Sequence, residues 1–249
     1  MIQAEILTIG DELLRGDVTD TNATWMARRM WQLGLPVGLT TTVGDDRPHL
    51  DRALTAAIGR ARVLLITGGL GPTEDDRTAQ AVAHAAGVEL TLWQEALMAM
   101  RERAARGGWV LTPNNEKQAY LPAGSRLLAN AQGTAPGFAL QVGPCLVAAM
   151  PGVPREMKAM FDAEVAPLLA AAHDVRPALT RTLNCFGAGE SMLDHKLQGV
   201  LAAVDPGSCH ASLHYRTSFP LNRVILVVQP AAHTAPGEAQ QVLDALEAA

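Results

Sequence analysis

Apolar positions in this chain fall into two alternating patterns. Residues 4–9 (AEILTI), 37–43 and 63–67 are short apolar runs rich in β-branched side chains, which predicts strands. Between the first two, Ala23, Met26, Ala27, Met30 and Leu33 recur at spacings of three and four, the buried stripe of a helix. Asp20, Thr21 and Asn22 offer N-caps for it, and Gly34 suits its C-terminal stop. A second stripe, Leu50, Leu54, Ala57 and Ile58, predicts a helix starting near Pro48. Repeated strand-then-helix units at this spacing argue for a parallel sheet covered by helices, an α/β fold. Further on, residues 78–86 and 93–106 read as helices, the second with Ala96, Leu97, Met100 and Ala104 on one side. Residues 126–128 read as a short strand, and 138–142 and 145–150 as an antiparallel pair turning through Gly143-Pro144. A helix follows, with Met157, Met160, Phe161, Val165 and Leu168 as its apolar positions.

Residues 172–177, a fading alanine run ended by Pro177, mark a boundary. The chain therefore divides into residues 1–172 and 173–249. The second part reads strand, helix, strand, strand, helix (179–186, 192–201, 209–215, 221–228 and 238–247), a small α+β domain.

Candidate chemistry gathers where the predicted strands of the first part end. Asp11-Glu12 follows the first strand, Asp45-Asp46 the second, and Gly68-Gly69-Leu70-Gly71-Pro72-Thr73-Glu74-Asp75-Asp76 the third. In an open α/β sheet, ligands bind outside the carboxyl ends of the strands, so these turns share the expected ligand edge. A strand, glycine loop and helix present backbone N–H groups to a phosphate. The carboxylates Glu74, Asp75 and Asp76 would repel a bare phosphate, so a divalent cation between them is the natural reading. The competing reading makes Asp75 or Asp76 a helix N-cap. Asn114 and Lys117 in Pro113-Asn114-Asn115-Glu116-Lys117 are candidates for ribose or phosphate contacts, or else part of an Asn-capped helix start. Gly152 and Arg155 could serve a phosphate, with Pro154 opening a helix as the plain alternative. His210 and His214 fall on a predicted strand, where their spacing puts both on one face without making a metal motif.

Composition narrows the classes. The formal net charge of −5 disfavours non-specific binding to nucleic acid or anionic membranes. Three widely spaced cysteines form neither a disulfide framework nor a CxxC site and suit a reducing compartment. No stretch approaches ~18 apolar residues and the start lacks a basic, apolar leader, so a cytoplasmic protein is expected.

The segments GDELLRGDVTDTNA, TTVGDD, TGGLGPTEDD, NNEKQA, GTAPGFAL and PGVPREMK, in this order, resemble the competence/damage-inducible protein A (CinA) family, densely over residues 1–172. Gly187-Ala188-Gly189-Glu190-Ser191 extends the resemblance into the small domain, called KH-type in that family. The resemblance implies a three-layer α/β/α, molybdopterin-binding-like domain with a mainly parallel sheet, a homodimer, and nucleotide chemistry. It also implies divalent-metal-dependent pyrophosphatase activity on ADP-ribose, whereas relatives in the wider superfamily bind molybdopterin and transfer or remove adenylate. Full-length family members commonly add a C-terminal domain that deamidates nicotinamide mononucleotide. The chain stops at Ala249, inside the last predicted helix, so that activity is not expected of it. A KH-type fold clamps nucleic acid with a GXXG loop that is usually basic. Residues 173–249 carry five Lys/Arg against seven Asp/Glu, so no nucleic-acid partner is expected.

The leading expectation is a hydrolase. The pyrophosphate would lie over Gly68, Gly69 and Gly71, near Thr73. Asp45 and Asp76, aided by Asp11, would hold Mg²⁺, or Mn²⁺ or Co²⁺, with Asp75 and Glu74 as alternative ligands. Asn114, Lys117, Gly152 and Arg155 would contact the nucleotide. The rivals are a molybdopterin-binding or adenylyltransferase-like protein of molybdenum-cofactor biosynthesis, and a non-enzymatic dimeric scaffold.

Overall fold

The computed structural model describes all residues except 1, 174–175, 203–208, 219, 232–233, 236 and 249. It forms two compact units, residues 1–30 with 36–172, and residues 31–35 with 173–249.

The first unit is built on strands β1 (Ile2–Ile9), β2 (Val37–Val43), β3 (Ala61–Thr67), β6 (Arg126–Leu128), β7 (Gly137–Val142) and β8 (Cys145–Met150). Two further short strands, β4 (Leu90–Leu92) and β5 (Tyr120–Pro122), pair separately. The six-stranded sheet has the order β2-β1-β3-β8-β7-β6. Its first four strands are parallel, while β7 and β6 extend it antiparallel. The mostly parallel sheet and the antiparallel β7/β8 pair agree with the sequence.

Central position explains composition. Val63, Leu64, Leu65 and Ile66 of β3 are all fully buried, as expected of a parallel strand covered on both faces. Each such side chain contributes about 1.5–3 kcal/mol. Leu7, Leu64, Ile66, Phe138 and Val147 pack on one face against Leu50, Leu54 and Ala57 of α3 (Arg47–Arg60) and Ala81 and Val82 of α4 (Thr78–Ala86). Residues of the opposite parity, such as Ile6, Leu65 and Ala148, point to the other face. There Met26 and Met30 of α2 (Thr21–Gln32) are buried along with Met157 and Met160 of α7 (Pro154–Met160). Gly137 of β7 leaves room for Met160, because a Cβ there would lie 2.4 Å from its Sδ.

Local details depart from the periodicity. Asp20, not Asn22, caps α2, accepting from the Ala23 N–H at 2.8 Å. Leu35, beyond the helix end, is buried where the stripe predicts Leu33. After α7 the chain forms a π-helical segment, Phe161–Val165, before α8 (Ala166–Ala172). A π turn inserts an extra residue into the repeat, so Leu169 is buried rather than Leu168. The β1–α2 connection holds a short helix, α1 (Asp11–Leu14), and the segment after α4 includes α5 (Gln94–Gly107) and α6 (Pro113–Glu116).

The second unit carries an antiparallel sheet, β10-β11-β9, from β9 (Leu179–Phe186), β10 (Cys209–Ser218) and β11 (Leu221–Pro230). Burial alternates along β9, the mark of a strand with one covered face. Val224, Leu226 and Val228 of β11 pack with Leu197 of α9 (Glu190–Leu201) and with Leu243 and Leu246 of α10 (Glu238–Ala248). Among the described residues no helix is long and apolar enough to cross a membrane, and Cys145, Cys185 and Cys209 form no disulfide.

Candidate functional site

The parallel strands bring their carboxyl ends to one edge, and hydrogen bonds tie the turns together there. At the end of β1, the Gly10 N–H donates to Val43 O at 3.0 Å. The Asp11 N–H then donates to Asp45 Oδ2, and the Asp45 N–H to Asp11 Oδ1, each at 3.1 Å. This reciprocal clasp fixes the Asp45 turn. Asp46, the next residue, caps α3.

The glycine loop after β3 is held from both sides. Thr78, fully buried at the start of α4, donates its hydroxyl to Gly68 O at 2.8 Å and its N–H to Gly69 O at 3.1 Å. Thr67 donates to Pro151 O at 2.8 Å. Asn22 donates to both Thr67 Oγ1 at 3.1 Å and Gly152 O at 2.7 Å, so one buried amide joins α2 to the turns after β3 and β8. Gly68 has φ 105°, and a Cβ on it would lie 2.2 Å from the Ile9 carbonyl oxygen. Only glycine fits so close a backbone approach.

These turns enclose a cavity of about 540 Å³. Its walls include Gly68, Gly69, Leu70, Gly71, Gln118 and Gly152. Five carboxylates, those of Glu12, Asp45, Asp75, Asp76 and Glu156, line it without any Lys or Arg. Burial raises the Asp45 carboxyl above its ordinary value. The Asp11 N–H opposes this, and the charges of Asp11, Asp75 and Glu12 push it further up. Asp75 is shifted the other way, chiefly by the neighbouring Thr73 side chain and also by the charges of Lys117 and Arg77. Opposed shifts in neighbouring carboxyls are a common property of functional sites. A groove of about 440 Å³ along α5 shares Thr134 with this cavity, but the ends of the parallel strands do not line it.

The sequence-predicted residues divide as follows. Asp45, Asp75, Asp76, Gly68, Gly69, Gly71 and Gly152 line the cavity. Asp11 stands behind it as the clasp on Asp45, and its neighbour Glu12 takes the wall. Thr73 donates its N–H and hydroxyl to Asp76 Oδ2 at 2.9 and 2.6 Å, which shapes the loop. Neither Asp75 nor Asp76 caps α4, whose N-cap is Arg77 without a side-chain bond. Lys117 donates to Thr73 O and lines an adjoining pocket of about 220 Å³ that shares Gly69, Leu70, Gly71, Asp76 and Gln118 with the main cavity. Asn114 and Arg155 are exposed and lie off both cavities, and α6 is capped by Thr112 with Asn115 bonding back. The sequence reading missed Glu12, Gln118 and Glu156. Gln118 is 7% exposed and donates to Leu70 O at 3.0 Å, while its Oε1 has no partner among the described residues.

Among the described residues no three His, Cys, Asp or Glu side chains are grouped closely enough to enclose a metal ion. The donors here are oxygens of separate carboxylates. They suit a cation that keeps water and phosphate oxygens and takes one or two protein ligands, as Mg²⁺ does.

Fold and cleft define the class: residues 5–171 match the family described as Probable molybdopterin binding domain. The CinA-like protein of Anaeromyxobacter sp. (strain Fw109-5) is 43% identical over 219 residues, covering 88% of this chain and 53% of that protein. The CinA-like protein of Geobacter sulfurreducens is 46% identical over 198 residues, covering 78% of this chain and 47% of its own length. A crystal structure of CinA from Thermoplasma acidophilum, described as of unknown function, matches with a TM-score of 0.62 and 33% identity, over 67% of this chain and 97% of that one. The chain belongs to the CinA family. It spans about half the length of the curated relatives it matches.

Proposed function

We propose that the first unit is a divalent-metal-dependent pyrophosphatase that hydrolyses the phosphoric anhydride of ADP-ribose or a similar nucleotide. The observation that carries this reading is the make-up of one cavity, a glycine-loop wall facing five carboxylates with no Lys or Arg among them. A bare diphosphate would be repelled there, whereas one accompanied by a cation would be held. When bound, Mg²⁺, Mn²⁺ or Co²⁺ would neutralise the anhydride oxygens and the charge that develops on the leaving phosphate. One or two of Asp45, Asp75 and Asp76 would hold it, with water and phosphate oxygens completing its shell.

The remaining work falls to the chain itself. The main chain at Gly69 and Gly71 lines the cavity and cradles the diphosphate. The Asp11 clasp and the Thr73 bonds keep Asp45 and Asp76 in fixed positions, so little reorganisation is needed on binding. Lys117, anchored on Thr73, offers a positive charge to the part of the nucleotide that enters the adjoining pocket. Leu70, Pro72 and Val153 supply apolar wall that limits water around the anhydride. We extend the proposal to a cytoplasmic homodimer whose partner is a small-molecule nucleotide rather than nucleic acid or a membrane.

A second reading, pterin binding or adenylyl transfer in molybdenum-cofactor biosynthesis, is favoured by the family description matched by residues 5–171. Purified protein offered ADP-ribose with EDTA, or with each cation in turn, separates the two. AMP released only when a cation is present supports the pyrophosphatase. Tight molybdopterin binding with no AMP under any cation supports the second reading instead.

A further inference from the structure

We propose that Glu156, on the first turn of α7, is the general base that activates water for the hydrolysis. The inference rests on the pyrophosphatase reading and deepens it. Glu156 lines the cavity, and its carboxylate is fixed by a neighbour that is itself fully engaged. Asn130 donates from Nδ2 to Glu156 Oε2 at 2.9 Å and to Ala135 O at 2.8 Å. Its Oδ1 accepts the N–H groups of Gln132 at 3.0 Å and Gly133 at 2.7 Å. With both ends of the amide committed, its donor end can only face Glu156. Space is also reserved for the carboxylate, because a Cβ on Gly133 would lie 1.9 Å from Glu156 Oε2.

With Asp45, Asp75 and Asp76 given to the cation, Glu12 and Glu156 remain as the other carboxylates on this wall, and among the described residues only Glu156 of these two is held by a side-chain hydrogen bond. Asp76 Oδ2 takes two bonds from Thr73, and Asp45 Oδ2 takes the Asp11 N–H. Asp75 feels the positive charges of Lys117 and Arg77. Among the described residues no cation pairs with Glu156, and its Oε1 accepts no hydrogen bond. One oxygen is therefore positioned by Asn130 while the other, on a side chain that lines the cavity, accepts no hydrogen bond among the described residues and is free to take a proton, as a base requires. In the step, a water oxygen bonds to one phosphorus as its proton passes to Glu156. The bond from that phosphorus to the bridging oxygen breaks, and the bridging oxygen leaves with the electron pair as an oxygen of the second phosphate. Glu156 then gives the proton to solvent. From ADP-ribose and water the products are AMP and ribose 5-phosphate.

The competing role is a clamp that holds loop 129–136, and Glu156→Gln separates the two. A glutamine Oε1 still accepts from Asn130, so the clamp survives while the base is lost. The expected result with ADP-ribose is a fall in kcat of about 100-fold or more, the usual weight of a general base, with KM and melting temperature near those of the wild type. Glu156→Asp keeps the charge but draws it back by one methylene, and an intermediate fall in kcat is expected. Wild-type kcat in a folded Glu156→Gln protein would overturn the assignment and leave the pyrophosphatase reading standing. A raised KM with unchanged kcat in both variants, or loss of fold in both, would make Glu156 a clamp and overturn it too. If only Glu156→Gln fails to fold, a lowered kcat at unchanged KM in Glu156→Asp supports the base, and unchanged kcat rejects it. Wild-type protein that releases no AMP would remove both proposals together.

Discussion

Two strands in this chain run into a glycine-rich turn and then a helix. β3 leads into Gly68-Gly69-Leu70-Gly71 and β9 into Gly187-Ala188-Gly189. On the page they look alike, but their surroundings differ. A Cβ on Gly68, Gly69 or Gly71 would lie within 2.4 Å of the Ile9 carbonyl, the Thr78 hydroxyl or the Asp76 carboxylate. A Cβ on Gly187 or Gly189 would meet nothing within 4 Å. The first set is glycine because other groups crowd the backbone, whereas in the second only Gly187 is called for, by its φ of 74°. The neighbours of each turn make the difference. Parallel strands deliver successive turns to one edge, where they can tie to one another and enclose a ligand. The turn after β9 is tied as well, the Gly187 N–H donating to Pro220 O at 2.9 Å and Asn222 to Ala188 O at 2.6 Å, but the space beside its glycines stays open.

Substitutions can break this contrast. Gly68→Ala forces a side chain into a positive-φ position against backbone, and the account expects a loss of about 2–5 kcal/mol in urea unfolding. Gly189→Ala, in open space and without positive φ, should stay within about 0.5 kcal/mol of wild type. A comparable loss at both positions would remove the distinction between the two turns.

Asn22→Ala sharpens the claim that the strand-end turns are tied to one another. It leaves Gly152 O and Thr67 Oγ1 without their donor, at about 1–3 kcal/mol per buried group left unpaired. Equilibrium unfolding measures this loss, and unaltered stability would mean the turns stand independently.

Asp45→Asn should act in the opposite direction and more weakly. A carboxyl whose pKa is raised in the folded protein costs stability once it ionises. The penalty is absent below the ordinary aspartate pKa, grows as pH rises towards the raised folded value, and is complete above it. The variant should therefore be the more stable protein near neutral pH, by no more than about 1 kcal/mol for a group this solvated. The gain should vanish at low pH, and thermal melts at pH 3 and pH 7 would test the sign.

Much of this arrangement was legible in the sequence. Alternating apolar patterns located β1, α2, β2, α3, β3 and α4 and put the acidic and glycine turns on one edge. Which side chain of a turn enters the cavity was not legible. Asp11 and Glu12, or Arg155 and Glu156, are neighbours on a helical turn, where successive side chains project about 100° apart. The local backbone, not the order of residues, decided that Glu12 and Glu156 line the wall. The strands Leu90–Leu92 and Tyr120–Pro122 escaped because three residues carry no period and their pairing spans a long stretch of chain. Leu168 gave way to Leu169 because the π segment breaks the repeat that the apolar spacing assumes.

The central claim is that the acidic cavity of the first unit handles a diphosphate together with a cation. AMP release from ADP-ribose should be followed over a Mg²⁺ titration for wild type and Asp45→Asn side by side. The account predicts turnover that appears with Mg²⁺, disappears with EDTA, and falls about 100-fold in the variant, the scale of losing one oriented charge from such a site. Turnover that ignores Mg²⁺, or that Asp45→Asn leaves unchanged, would contradict it.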